Sequence, residues 1–246
     1  MSRSWNEHNE NLRKNKFENG YEHKHPILFE YMYMDIEEKQ EFLKHYIHPD
    51  TYWAQSQLVR HPREWDYIIE EPIWEVYQFP LFTEEFCNML IEESENFDEF
   101  LDPKEAANNN ITYPTTDLGL DSIPGKINYT DTPLSNLYDF IQQEYIKPII
   151  FHVWKYRVER FQSSYVLKYS PDGQDFLQPH HDDSACASIV SLNNNYEGGG
   201  TWFDRQKTVV EPKTGWCTLH PSKLTHRHAG RRVTKGTRYI LITFID

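Results

Sequence analysis

The chain has 246 residues and a formal net charge of −13, with 38% hydrophobic and 15% aromatic side chains, enough to fill a core. Acidity on this scale argues against a nucleic-acid partner, because duplex binders present a basic patch. Three scattered cysteines (Cys87, Cys186, Cys217) without a CxxC pair argue against a disulfide framework or a structural zinc site. No apolar stretch reaches the ~18 residues of a membrane span, and the Met1-Ser2-Arg3-Ser4-Trp5 start lacks the apolar core of a signal peptide.

Residues 1–75 are polar and aromatic and lack the periodicity of an independent core, which predicts an arm wrapping a domain at 76–246. Within the arm, Asp35 to Leu43 reads as a short helix ending before His48-Pro49. His23, His25, His45 and His48 read as solvated residues. Val76 to Pro80 leads into a helix with Thr83 as N-cap and Glu84 and Glu85 in the electropositive first turn. Glu92 to Glu105 is an acidic, solvated run, and Asn108 to Asn110 marks a loop. The sequons at Asn110 and Asn128 arise easily by chance. A second helix starts at Thr132-Pro133, carries Leu134, Leu137 and Ile141 inward, and is expected to stop near Pro148.

From Ser163 onward, short β-branched or aromatic runs alternate with Pro, Gly, Asp and Asn. The candidate strands are Ser164–Tyr169, Ala185–Leu192, Thr201–Phe203, Thr208–Val210, Trp216–His220 and Thr237–Ile245. Many short strands with frequent turns mean a sandwich or barrel. On the last strand, Arg238 shares a face with Ile240, Ile242 and Phe244. A guanidinium cannot shed its proton, so it demands water or a carboxylate on that face.

Upstream lie His228 and the run His180-His181-Asp182-Asp183. His180 and Asp182 are i and i+2, so an extended backbone projects both to one side, and the gap to His228 leaves room for a Greek-key return. Two imidazoles and a carboxylate leave open positions on a ferrous ion. His181 with Asp183 repeats the pattern one residue on, and His226 competes with His228.

These residues stand within longer stretches that resemble the C-terminal catalytic domain of the procollagen lysyl hydroxylases. The stretches are Pro114-Thr115-Thr116-Asp117, Pro179-His180-His181-Asp182, Tyr196-Glu197-Gly198-Gly199-Gly200, Gly215-Trp216, His220 through His228 and Gly236-Thr237-Arg238-Tyr239, with Tyr46-Ile47-His48-Pro49 in the arm. Few cysteines and Asn-rich loops look more like a giant-virus version than an animal one. The resemblance implies a mainly β double-stranded β-helix (jelly-roll, cupin-like) fold with flanking helices. It implies Fe(II)- and 2-oxoglutarate-dependent dioxygenase activity, hydroxylating peptidyl lysine at C5 in collagen-like Gly-X-Y sequences with O2 and L-ascorbate. His180, Asp182 and His228 would hold the metal and Arg238 the distal carboxylate of 2-oxoglutarate. The family forms homodimers and works in the endoplasmic reticulum lumen.

Other residues stay open at this level. Tyr169 would approach the 2-oxo acid or simply fill the barrel wall. Asp183, Glu197 and Asp117 are candidate acceptors for a lysine ammonium group, and Leu224 is a candidate dimer contact. Asn193 reads as a turn former, Cys186 as a small core residue, and the three glycines as a tight hairpin. A prolyl or other side-chain hydroxylase would use the same triad, and a non-catalytic cupin-like metal-binding module would keep the fold.

Overall fold

In a computed structural model the described residues are 22–58, 63–104, 115–123 and 132–246. The Asn108–Asn110 loop and both sequon asparagines lie outside them. Helix α1 (Ile36–Tyr46) opens on a reciprocal cap: Asp35 accepts from the Glu38 amide while Glu38 accepts from the Asp35 amide, each at 2.9 Å. Such a cap contributes about 1 kcal/mol. The helix ends at Tyr46, before His48-Pro49 as expected, but Pro49 then starts helix α2 (Pro49–Gln57), where its missing N–H costs nothing. Thr83 caps α3 (Glu84–Phe97), and Thr132 caps α4 (Pro133–Ile141).

The second helix does not stop near Pro148. A wide turn at Gln142–Ile146, in which the Lys147 amide reaches back to the Gln142 carbonyl, leads into α5 (Lys147–Trp154). Pro148 thus sits in the first turn of a new segment, where no donor is required of it.

Strands β1 (Glu70–Ile73), β2 (Val76–Pro80), β3 (Asp117–Gly119), β4 (Phe161–Tyr169), β6 (Cys186–Ser191), β10 (Trp216–Pro221) and β13 (Arg238–Ile245) form one antiparallel sheet, in the order β1-β2-β10-β6-β13-β4-β3. A second sheet takes the order β5-β11-β8-β9, from Leu177–His180, His228–Gly230, Thr201–Phe203 and Thr208–Val210. Strands β7 (Glu197–Gly198) and β12 (Val233–Lys235) pair beside them. This is the expected jelly-roll with flanking helices.

The large sheet is covered on both faces, which explains why β6 is buried at every position. Its outer face gives Val166, Val190, Leu219 and Leu241 to the main core, against Phe86 and Leu90 of α3 and Leu137 and Ile141 of α4. Leu28, Phe29, Tyr31, Phe42, Ala54 and Trp65 join that core from the first 75 residues, and residue 75 is the turn of the β1–β2 hairpin. Its inner face carries Leu167, Tyr169, Ile189, Ile240 and Ile242 toward Leu177 and Val233. One arm histidine departs from expectation. His23 is not solvated: its Nδ1 lies 3.0 Å from the fully buried Glu93 of α3, and its ring stacks on Phe29 at 3.7 Å.

Candidate active site

The two sheets meet around three side chains. His180 ends β5 and His228 begins β11, and the two residues face each other directly in register. Asp182 follows two residues beyond the end of β5, off the strand. Its Oδ1 lies 3.3 Å from His180 Nε2 and its Oδ2 3.7 Å from His228 Nε2. One ligand atom from each of the three falls within 4.8 Å of the others, and all three residues are buried.

The tautomers are set from behind. His180 Nδ1 donates to the Gln178 carbonyl at 2.7 Å and His228 Nδ1 to the His226 carbonyl at 3.0 Å. Both rings therefore turn Nε2 toward the carboxylate, with the second nitrogen fixed as in metal-bound imidazoles. Burial lowers the His228 ring to about 3, with repulsion from His220 adding to it, so it is neutral at pH 7. Burial works to raise the Asp182 carboxyl, but the His180 hydrogen bond and the His228 and His220 rings hold it down at about 2. A neutral imidazole at His228 and an ionised carboxylate at Asp182 are the protonation states a cation needs. Asp182 Oδ2 is buried with no hydrogen-bond partner among the described residues, so the donor set fits a divalent ion with open positions.

The competing residues point elsewhere. His181 is exposed, with Nδ1 3.2 Å from the Ser222 carbonyl, and Asp183 pairs with Lys223 at 2.8 Å. His226 is buried, but its Nε2 meets the Trp74 carbonyl at 3.0 Å. Sequence reasoning missed His220. Fully buried near the end of β10, it has its ring 4.6 Å from that of His228, and its Nε2 has no partner among the described residues. Its place on an alternating strand, inward like Thr218, was the signal that could have found it.

Arg238 opens β13 at 1% exposure, opposite Tyr169 in register. Its Nη atoms donate to the Gly200 carbonyl at 3.2 Å and Thr201 Oγ1 at 3.4 Å, while its Nε has no partner. No carboxylate pairs with it among the described residues. The Tyr169 ring centre lies 5.7 Å from the guanidinium. Burial raises the Tyr169 hydroxyl to about 12, with Arg238 pulling the other way. The expected hairpin at the glycines is instead a crossover. Gly198 to Gly200 all take positive φ and pass the chain from β7 to β8. A Cβ on Gly199 would sit 3.3 Å from Arg238 Cδ, so the bare backbone makes room for the arginine. Asn193 is the turn former expected: it donates to the Thr237 carbonyl and accepts from the Tyr239 amide.

A cavity of about 690 Å³ opens onto His180 and Asp182, with Leu101, Leu167, Leu177, Ile242 and Phe244 in its walls. The three-residue cluster can hold a divalent ion, and the cavity leaves room for a side chain to enter toward it.

Comparison with known proteins agrees with this geometry. Residues 159–246 match the 2OG-Fe(II) oxygenase superfamily and residues 18–124 an OGFOD2-like domain. The human multifunctional procollagen lysine hydroxylase and glycosyltransferase LH3 is 32% identical over 235 residues, 92% of this chain and 29% of that protein. Human procollagen-lysine,2-oxoglutarate 5-dioxygenase 2 is 36% identical over 186 residues, 73% of this chain and 24% of that protein. The chain thus spans under a third of the length of these relatives. They are animal proteins and lend nothing to the viral version expected from composition. Among solved structures, a Pseudomonas putida prolyl-4-hydroxylase superposes with a TM-score of 0.51 at 14% identity, covering 79% of this chain and 97% of that one, a likeness of fold.

Proposed function

Since the chain carries a 2OG-Fe(II) oxygenase domain and is distantly homologous over most of its length to the procollagen lysyl hydroxylases, we propose that it hydroxylates peptidyl lysine at C5 in collagen-like sequences. The observation that carries the oxygenase part is the open His180–Asp182–His228 cluster together with a buried arginine that no carboxylate of the described residues meets. The lysyl part rests on the relatives' identity.

His180, Asp182 and His228 would hold Fe(II) through the two Nε2 atoms and the carboxylate. When bound, iron with O2 and 2-oxoglutarate supplies the oxidising chemistry, yielding succinate, CO2 and a hydroxylated carbon, and ascorbate keeps the metal ferrous. The protein's own part is position. The Gln178 and His226 carbonyls lock the two imidazoles, so the metal-binding nitrogens need no rearrangement. Arg238 would receive the distal carboxylate of 2-oxoglutarate in a two-pronged contact that fixes orientation as well as charge. Tyr169, opposite it, limits how far that carboxylate can swing. Leu167, Ile189, Ile240 and Ile242 keep water from the inner face.

A homodimer is the further part of this reading, with Leu224, 85% exposed between polar neighbours, as its contact. The test of function is incubation with Fe(II), 2-oxoglutarate and ascorbate of collagen-like peptides carrying lysine or proline in the X or Y position. Gain of one oxygen mapped to lysine supports the proposal; gain on proline alone selects the prolyl alternative. Absence of succinate release with any peptide would leave a metal-binding module.

A further inference from the structure

A lysine-specific oxygenase must place an ammonium group, and three carboxylates stood as its candidate acceptor. Two of them are engaged at the surface. The Asp183 side chain is 92% exposed and pairs with Lys223, and the exposed Glu197 pairs with Lys235, each at 2.8 Å. Asp183 still borders the cavity, but Asp117 differs from both in being half-buried with no cationic partner among the described residues.

It begins β3, at the edge of the large sheet, directly opposite Leu167 of β4, and Leu167 is opposite Ile240 of β13. Residues facing one another across antiparallel strands project to the same side. Asp117 therefore stands on the inner face with Leu167 and Ile240, the face that also carries Arg238. It lines the same cavity as His180 and Asp182. One carboxylate oxygen accepts from Thr115 Oγ1, and no lysine, arginine or histidine pairs with it among the described residues. Burial raises its pKa with only the Thr115 hydrogen bond opposing, so no cation among the described residues offsets its desolvation.

A half-buried carboxylate without a counter-charge among the described residues is costly unless something enters to meet it. Leu101, Leu167, Leu177, Ile242 and Phe244 suit a run of methylenes. A chain of methylenes ending in a positive charge is a lysyl side chain. A prolyl ring would fill part of the space and leave the carboxylate unpaired. Resting on the lysyl reading above, the geometry points to Asp117 as the residue that receives the substrate ε-ammonium group. Because Nζ lies two bonds from C5, holding it also fixes which methylene faces the triad.

The test compares wild type, Asp117→Asn and Asp117→Glu on a collagen-like lysine peptide, with the matched norleucine peptide as competitive inhibitor. The expected result is a KM for the lysine peptide raised at least tenfold in Asp117→Asn, partly restored in Asp117→Glu, with the norleucine inhibition constant changed less than threefold. Thermal stabilisation by 2-oxoglutarate with Mn(II) reports that each variant is folded. A lysine KM within twofold of wild type in Asp117→Asn overturns the assignment. So does an equal loss for lysine and norleucine, which marks a structural role. If wild type itself leaves lysine unmodified, the lysyl reading fails, and that failure is visible before any variant is made.

Discussion

Replacing Arg238 with methionine separates two roles that usually travel together, because it should weaken co-substrate binding without weakening the fold. The guanidinium is 1% exposed, keeps two hydrogen bonds to Gly200 and Thr201, and among the described residues finds no partner for Nε and no carboxylate. Desolvating a cation costs several kcal/mol. The two hydrogen bonds return about 1 kcal/mol each, and the Tyr169 ring about 1 kcal/mol more. Methionine removes that residual penalty and suits the face shared with Ile240 and Ile242, though it strips the Gly200 carbonyl of its donor, which costs roughly 1–3 kcal/mol. The ligand-free variant is therefore expected to melt within about 4 °C of wild type, at roughly 2–4 °C per kcal/mol. Loss of the charge-assisted contact to 2-oxoglutarate, about 3 kcal/mol, raises its KM roughly 150-fold. Succinate release against 2-oxoglutarate concentration, with melting curves in its presence and absence, gives both quantities. A variant that melts more than 5 °C lower yet keeps its KM would mean that Arg238 is a structural cation, and the site reasoning would fall.

Gly215→Ala should destabilise the protein by about 2 kcal/mol or more, read as a lower urea midpoint: at φ 79° the new Cβ would lie 2.2 Å from the Phe82 carbonyl oxygen. Metal-free protein should lose stability as pH falls from 7 to 5. His228 is held at about 3 in the fold against an ordinary 6.5, so between those values the unfolded chain binds the extra proton. The loss attributable to it by pH 5 is roughly 2 kcal/mol, and a His228→Gln variant with the same slope as wild type would show that the dependence lies elsewhere. Leu224→Asp should yield a monomer by analytical ultracentrifugation if that leucine holds two copies together; an unchanged dimer dismisses the contact.

The pattern of side chains along the chain determined a good deal by itself. Thr83 and Thr132 announced their helices because a cap is a local hydrogen bond, fixed by residues three apart. Arg238 among Ile240 and Ile242 announced a buried cation because alternation on a strand is also local. What lay beyond reach was anything decided by partners distant in the chain. The helix ran past Pro148 because a wide turn re-registered its hydrogen bonds, and His23 became a buried partner of Glu93, seventy residues away. Choosing His228 over His226 depended on which ring β5 and Asp182 faced, and choosing Asp117 over Asp183 and Glu197 depended on its register with Leu167. The sequence carries the chemistry of each side chain; the pairing of strands decides which of those side chains meet.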